Sequence, residues 1–271
     1  MIRNQDVIIL VGPTGTGKTR YSVELAIKEN AEIINCDMSQ IFSVGRIATG
    51  RIKEHEMMGV EHHLFGFLND TVSISVYEMR CRIESKIEEI LNKKKKVILV
   101  GGSCFCVYSL FFAPNSVYKE LGYGLEGREV NVFNNKNFFD NNVNGKIILY
   151  PRYKYNIIFY DIFIERKDFW MLGLRERIKL FFEEGLIQEV MNMEAKWKDF
   201  LIRKGIIGYS ELIPYILQNN FILNENEDEI IKIKDLIFFR TCQYGKKQRT
   251  FIKKMKRDFL LNEVEFNEYY I

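Results

Sequence analysis

Eight consecutive residues, Gly12-Pro13-Thr14-Gly15-Thr16-Gly17-Lys18-Thr19, follow the spacing G-x-x-x-x-G-K-T. A loop of this kind turns several backbone N–H groups inward at the positive end of a helix and adds a lysine ammonium and a hydroxyl. That set suits a diphosphate or triphosphate together with a divalent cation. The loop works only if a strand delivers it and a helix leaves it. Both are legible: Val7 to Val11 is an apolar run, and Thr19 to Glu29 places Val23, Ala26 and Ile27 on one helical face. The strand, glycine loop and helix make this a P-loop that binds polyphosphate, but they do not say which reaction follows.

Two further strand ends should converge on the same crevice. Glu32 to Cys36 reads as a second strand and delivers Asp37; Val97 to Val100 is an unbroken apolar strand followed by Gly101-Gly102-Ser103. In parallel α/β sheets the carboxyl ends of the strands line the ligand site, so Asp37 and the Ser103 hydroxyl are expected beside the P-loop. An aspartate after a strand also serves as a helix cap or turn former, and both roles are open to Asp37.

Other candidates are weaker. His55, His62 and His63 fall in Ser39 to Leu68, which has little periodicity and reads as a polar surface loop with Arg46, Thr49, Arg51 and Lys53. Adjacent histidines diverge, so no metal site is expected from His62 and His63; they read as structural or substrate-facing. The cysteines, at 36, 81, 104, 106 and 242, are odd in number and scattered, so neither a disulfide framework nor a four-ligand zinc site is expected, and the Cys104-x-Cys106 pair reads as buried thiols.

The remaining elements follow from local signals. Ser75 should cap a helix over 76–92 with Met79, Ile83, Ile87 and Ile90 buried, and Lys93 to Lys96 reads as a solvated turn. Periodicity is lost over 114–156, the candidate insertion between a first part of the core (1–113) and the remainder (157–271). Asn156 to Glu165 is β-like. Asp168 to Glu184 reads as a helix with Trp170, Leu174, Ile178 and Phe181 on one face and Gly185 as its stop, with Arg177 beside that stripe as an exposed helix arginine. Ile187 to Trp197, Tyr209 to Leu217 with Pro214 inside, and about 228–255 carry helical spacing. The fold class is therefore α/β, a P-loop NTPase-like parallel sheet flanked by helices with a mostly helical C-terminal part.

A chain of 271 residues suffices for one large α/β domain. No apolar run is long enough to cross a bilayer and no leader pattern opens the chain, so a cytoplasmic monomer without membrane attachment is expected. The net charge of +3 is too small to argue for nucleic acid, but 232–257 holds ten Lys or Arg against one Asp.

Six stretches together resemble one family, the tRNA dimethylallyltransferases: GPTGTGKT (12–19), INCDMSQIF (34–42), Ala48-Thr49-Gly50-Arg51, EHHL (61–64), VILVGGS (97–103) and a C-terminal group. That group runs through Arg177-Ile178, Gly185-Leu186, Glu189-Val190, Ile207-Gly208-Tyr209-Ser210-Glu211 and Gln243 to Gln248 with Thr250-Phe251. The resemblance implies transfer of a dimethylallyl group from dimethylallyl diphosphate to N6 of the adenosine 3′ of the anticodon, with the tRNA anticodon stem-loop as acceptor and Mg²⁺ as cofactor. It implies that Gly12, Thr14, Gly15, Thr16, Gly17, Lys18 and Thr19 hold the diphosphate, with Thr19 on the metal. Asp37, Ser103 and Arg177 would be catalytic, with Asp37 accepting from the adenine amine and Arg177 clamping the leaving group. Gln40, Thr49, Arg51, Lys246, Lys247 and Gln248 would contact substrate.

The chain also departs from the family pattern. It has Met38, Phe42, Gly173 and Cys242 where Ser, Tyr, Arg and Arg are usual, Ser103 where Thr is usual, and a shorter stretch at 114–156 than the usual helical insertion. An adenylate dimethylallyltransferase, a P-loop nucleotide kinase and an inactive RNA-binding relative are the competing expectations.

Overall fold

The computed structural model describes residues 6–113, 150–151, 155–218, 227–260 and 266–270. The expected insertion, 114–156, lies largely outside them. Six strands form one sheet: β1 Asp6–Val11, β2 Ala31–Asn35, β3 His62–His63, β4 Lys96–Val100, β7 Asn156–Phe163 and β8 Phe266–Tyr270. Their order is β3-β2-β4-β1-β7-β8, and every pairing is parallel. Strands β5 Phe112–Ala113 and β6 Tyr150–Pro151 form a separate antiparallel pair. The apolar run of β1 occupies the interior of the sheet, with Val7 opposite Val97 on one side and Ile157 on the other. A strand buried on both faces needs no polar alternation, which is why it could be read from an unbroken apolar run.

The two faces of the sheet have separate cores. Ile8, Leu10, Ile33, Ile98 and Val100 pack on α1 Lys18–Glu29 through Val23, Leu25 and Ala26. Ile27, expected on that face, is exposed instead. The opposite face carries Val7, Ile9, Val11, Leu99 and Phe159 against α3 Val76–Asn92, α4 Cys104–Phe111 and the C-terminal helices. Helix α3 begins as its sequence predicts: Ser75 Oγ accepts the Glu78 N–H at 3.1 Å, and the Glu78 carboxylate accepts the Ser75 N–H in return.

Three expectations need correction. The 39–68 stretch is more than a surface loop: it carries the short helix α2 Arg46–Thr49, the edge strand β3, and one wall of the cleft described below. Lys93 and Lys95 do not lie in a merely solvated turn, because both reach the buried carboxylate of Glu32, which also accepts from His63 Nε2 at 2.7 Å. These partners hold the Glu32 carboxyl at about 2 against the burial that opposes ionisation. The helix read over 187–197 is two helices, α6 Leu186–Met191 and α7 Ala195–Lys204, separated at Asn192-Met193-Glu194. Apolar spacing continues across that break, so periodicity alone could not reveal it.

The other C-terminal elements are α5 Lys167–Glu183, α8 Tyr209–Gln218 with Pro214 inside, and the long α9 Glu227–Leu260. Helix α9 crosses the molecule and docks by Phe259 onto Phe159 and by Phe251 onto Tyr108, with ring centroids 5.0 and 5.5 Å apart. It ties the helical part to the strand ends.

Candidate active site

The P-loop lies between β1 and α1, and its own dihedrals and close neighbours dictate its glycines. Gly15 and Gly17 adopt left-handed φ values of 78° and 74°. A Cβ on Gly15 would stand 2.4 Å from Leu174, and one on Gly12 would stand 2.1 Å from the Ile162 carbonyl oxygen. Three contacts from two helices, α5 and α9, pin the loop at Thr14. The Thr14 N–H donates to Gln248 Oε1 at 2.8 Å, the Thr14 carbonyl accepts from Trp170 Nε1 at 2.8 Å, and Thr14 Oγ1 accepts from Arg177 Nη1 at 3.1 Å.

A cleft of about 1410 Å³ opens in front of this loop. Of the residues expected in the site, Thr14, Gly15, Thr16, Gly17, Lys18, Thr19, Asp37, Gln40, Thr49, Arg51, Ser103, Arg177 and Gln248 all line it. Gly12 does not; it lies under the loop with its carbonyl turned to Lys18. Lys246 and Lys247 are exposed on α9 and do not line the cleft either. Arg177 is not the exposed helix arginine that its position beside the α5 stripe suggests. It is half-buried against the bare Cα of Gly50, where a Cβ would come within 2.0 Å of its Nη2.

Lys18 Nζ donates to the carbonyls of Gly12 and Pro13 at 2.8 and 2.7 Å, and burial pulls its pKa down to about 8, with Arg177 pushing the same way. Burial also lowers the pKa of Arg177, which Asp37 opposes. Two cations held at a glycine loop under this desolvation favour an anion beside them. An anion bound there would keep the Lys18 proton, so its affinity gains from that proton below about pH 8 and loses it above. Pyrophosphate binding measured by calorimetry from pH 7 to 9.5 should weaken above pH 8 with a slope of up to about tenfold per pH unit. A flat profile would remove Lys18 from the anion site.

Across the cleft, Asp37 Oδ1 accepts from the Ser39 N–H at 2.9 Å and from its hydroxyl at 2.7 Å, while Oδ2 accepts from the Gly102 N–H at 3.1 Å. Asp37 is thus a turn former and a cleft carboxylate at once. Ser103 Oγ accepts the Met38 N–H at 2.9 Å and is bonded to the Tyr244 hydroxyl. Gln248 and Tyr244, four residues apart on α9, both donate to the Gly102 carbonyl, at 2.8 and 3.1 Å. Gln248 therefore braces the P-loop and the Gly102 turn against each other. Gln40, Thr49 and Arg51 brace the 39–51 segment: Gln40 Nε2 donates to the Thr49 carbonyl, Thr49 Oγ1 to that of Gly45, and the Arg51 guanidinium to those of Phe42 and Ser43.

Of the substitutions that mark this chain, Gly173 opens the cleft wall, with no atom within 4 Å of an added Cβ. Phe42 is buried edge-on against Phe200 at 5.0 Å. Gly50, Lys204 and Tyr244 also line the cleft, and Trp170 is both a stripe residue of α5 and a donor to the P-loop, roles that no sequence motif assigns. The i, i+4 spacing of Tyr244 and Gln248 was the one local signal available.

Comparison with known proteins decides the family. The model of the IPP transferase family matches residues 40–130 and 123–255. The chain belongs to the IPP transferase family. A tRNA dimethylallyltransferase of Phytoplasma australiense is 30% identical over 91% of this chain and 88% of its own length. One from Staphylococcus aureus strain MRSA252 is 28% identical over 91% and 89%. The solved tRNA delta(2)-isopentenylpyrophosphate transferase of Staphylococcus epidermidis shares the fold with a TM-score of 0.65 at 24% identity, covering 98% of this chain and 93% of its own. A eukaryotic dimethylallyltransferase acting on tRNA gives a TM-score of 0.72 at 19% identity over 97% and 74%. The parallel sheet, the P-loop and the helical C-terminal part are thus those of a prenyltransferase family. No helix among the described residues is long and apolar enough to cross a membrane.

Proposed function

We propose that this chain transfers the dimethylallyl group of dimethylallyl diphosphate to N6 of the adenosine 3′ of the anticodon in tRNA. The observation that carries the reading is the opposition, within one cleft, of Lys18, Thr19 and Arg177 to the oriented carboxylate of Asp37. The adenine amine is a weak nucleophile, and pyrophosphate leaves with concentrated charge. A carboxylate that accepts the amine proton on one side and cations that hold the leaving oxygens on the other stabilise what develops in the transition state.

The donor set also fits a hard divalent cation. The Thr19 hydroxyl is a hard oxygen donor lining the cleft beside the P-loop. Among the described residues, no group of three or more His, Cys, Asp or Glu forms a cage of its own. Thr19 would help hold Mg²⁺, which would supply charge neutralisation for the leaving diphosphate. The decisive experiment is incubation with labelled dimethylallyl diphosphate and either tRNA or AMP, followed by nucleoside analysis. Label on N6 of a tRNA adenosine is expected; label on AMP alone, or phosphoryl transfer from ATP, would overturn the assignment.

The basic groups divide by their partners. Arg249 donates to the buried carboxylate of Asp161 and stacks on Phe163, Lys254 bonds Asp258, and Lys53 bonds Glu184 at 2.7 Å. Lys246, Lys247 and Lys253 are exposed along α9, and Arg46 and Lys204 are exposed where they line the cleft. Replacing Lys246, Lys247 and Lys253 together by Ala should raise the KM for tRNA and leave that for dimethylallyl diphosphate unchanged. Loss of three phosphate contacts should also flatten the log–log salt slope of tRNA binding by about 2. Filter binding across a salt series checks this; a triple variant that binds like the parent would make the strip a solvated face.

A further inference from the structure

The wall on which Arg177 rests is anchored by Glu189, which itself lines the cleft, and by the buried Tyr209; the hydrogen bonds of both run to the turn that forms the wall. Helix α2 is a single turn bracketed by left-handed glycines, Gly45 at φ 67° and Gly50 at φ 64°. Its first three amides are taken in succession. Glu189 Oε1 accepts the Arg46 N–H at 2.8 Å, Glu189 Oε2 accepts the Ile47 N–H at 3.4 Å, and the Tyr209 phenol oxygen accepts the Ala48 N–H at 3.1 Å. The Tyr209 O–H closes the set by donating to Glu189 Oε2.

Packing leaves the turn no room to slide. Tyr209 is fully buried. A Cβ on Gly208 would lie 2.4 Å from that of Ala48, and one on Gly45 would lie 3.3 Å from the Tyr209 ring. Thr49 Oγ1 and Gln40 Nε2 stiffen the far end of the turn, and Gly50 there presents its bare Cα to the Arg177 guanidinium. A displacement of the turn at Glu189 is therefore delivered to Arg177.

We infer that Glu189 and Tyr209 are positioning residues for Arg177, acting through the Arg46–Thr49 turn and Gly50. The chemistry of the pair explains the residue types. A carboxylate offers acceptors to two amides and a phenol at once, whereas an amide of the same size would turn an NH₂ group toward the Ile47 N–H and the Tyr209 O–H. Tyrosine is needed because one atom must both accept from Ala48 and donate to Glu189. The inference rests on the proposed function only in taking Arg177 to grip a diphosphate, since no part of it depends on the transferred group or the acceptor.

The test is a double-mutant cycle, because a purely structural role would lower stability without coupling to one distant side chain. Glu189→Gln and Tyr209→Phe are each made in the native chain and in Arg177→Ala. Pyrophosphate affinity is read by calorimetry, prenyl transfer to tRNA by kcat/KM, and folding by thermal melts. In the native background each variant should weaken pyrophosphate binding and kcat/KM by about tenfold, the scale of a clamp displaced by a fraction of an ångström. In Arg177→Ala the same substitutions should change pyrophosphate binding less than about twofold. Equal losses in both backgrounds, or no loss in the native one, would overturn the inference. If Glu189→Gln does not fold, Tyr209→Phe carries the test, since it deletes one hydroxyl and leaves the buried ring in place. A native chain that binds pyrophosphate with this coupling but transfers no prenyl group would sink the assigned reaction and leave the inference standing.

Discussion

Replacing Lys18 by Ala is expected to lower kcat/KM for dimethylallyl diphosphate by roughly 30- to 900-fold, the effect of losing about 2–4 kcal/mol of transition-state stabilisation. The ammonium is held at the P-loop by two carbonyls and is partly desolvated, so its charge acts on a bound diphosphate with little screening by water. Arg177→Ala should fall in the same range, because it removes the second cation and one of the two contacts, with that of Trp170, that tie Thr14 of the P-loop to α5. The two losses should not add fully, since both groups act on one leaving group. Steady-state kinetics on the two single variants and the double variant check this. An unchanged kcat/KM in both single variants would place the diphosphate elsewhere.

The parts of this fold that could be read from sequence are those whose cause is local. The P-loop requires glycines at fixed spacing, β1 and β4 are apolar because both of their faces are covered, and α3 carries its own capping box at Ser75 and Glu78. What stayed hidden is set by partners distant in the chain. Glu32 in an apolar strand is a local contradiction that only Lys93, Lys95 and His63 resolve. Arg177 reads as a surface arginine until Gly50 supplies the wall it rests on, and Arg249 reads as one of the ten basic residues of 232–257 until Asp161 claims it. The role of Gln248 as a brace between two loops likewise depends on where α9 crosses the strand ends.

Asp37→Asn is the substitution expected to separate binding from chemistry. The carboxylate is poised by three donors, two at Ser39 and one at Gly102, and none of them is an ammonium or guanidinium that would neutralise it by direct contact. An asparagine can keep its oxygen on the Gly102 N–H while its NH₂ group turns toward Ser39, whose hydroxyl rotates to accept, so one backbone contact is weakened and the turn is retained. Pyrophosphate affinity should then change little, whereas transfer to the adenine amine should slow by roughly a hundredfold or more, because an amide cannot take the proton. Ser39→Ala is the matched control: it removes one donor to Oδ1 but leaves the acceptor, and should cost less than about tenfold. Single-turnover transfer to tRNA together with pyrophosphate calorimetry reads both quantities on the same protein. Parental transfer by Asp37→Asn would reduce Asp37 to a turn residue, and equal losses in binding and transfer would assign it to holding the loop in shape.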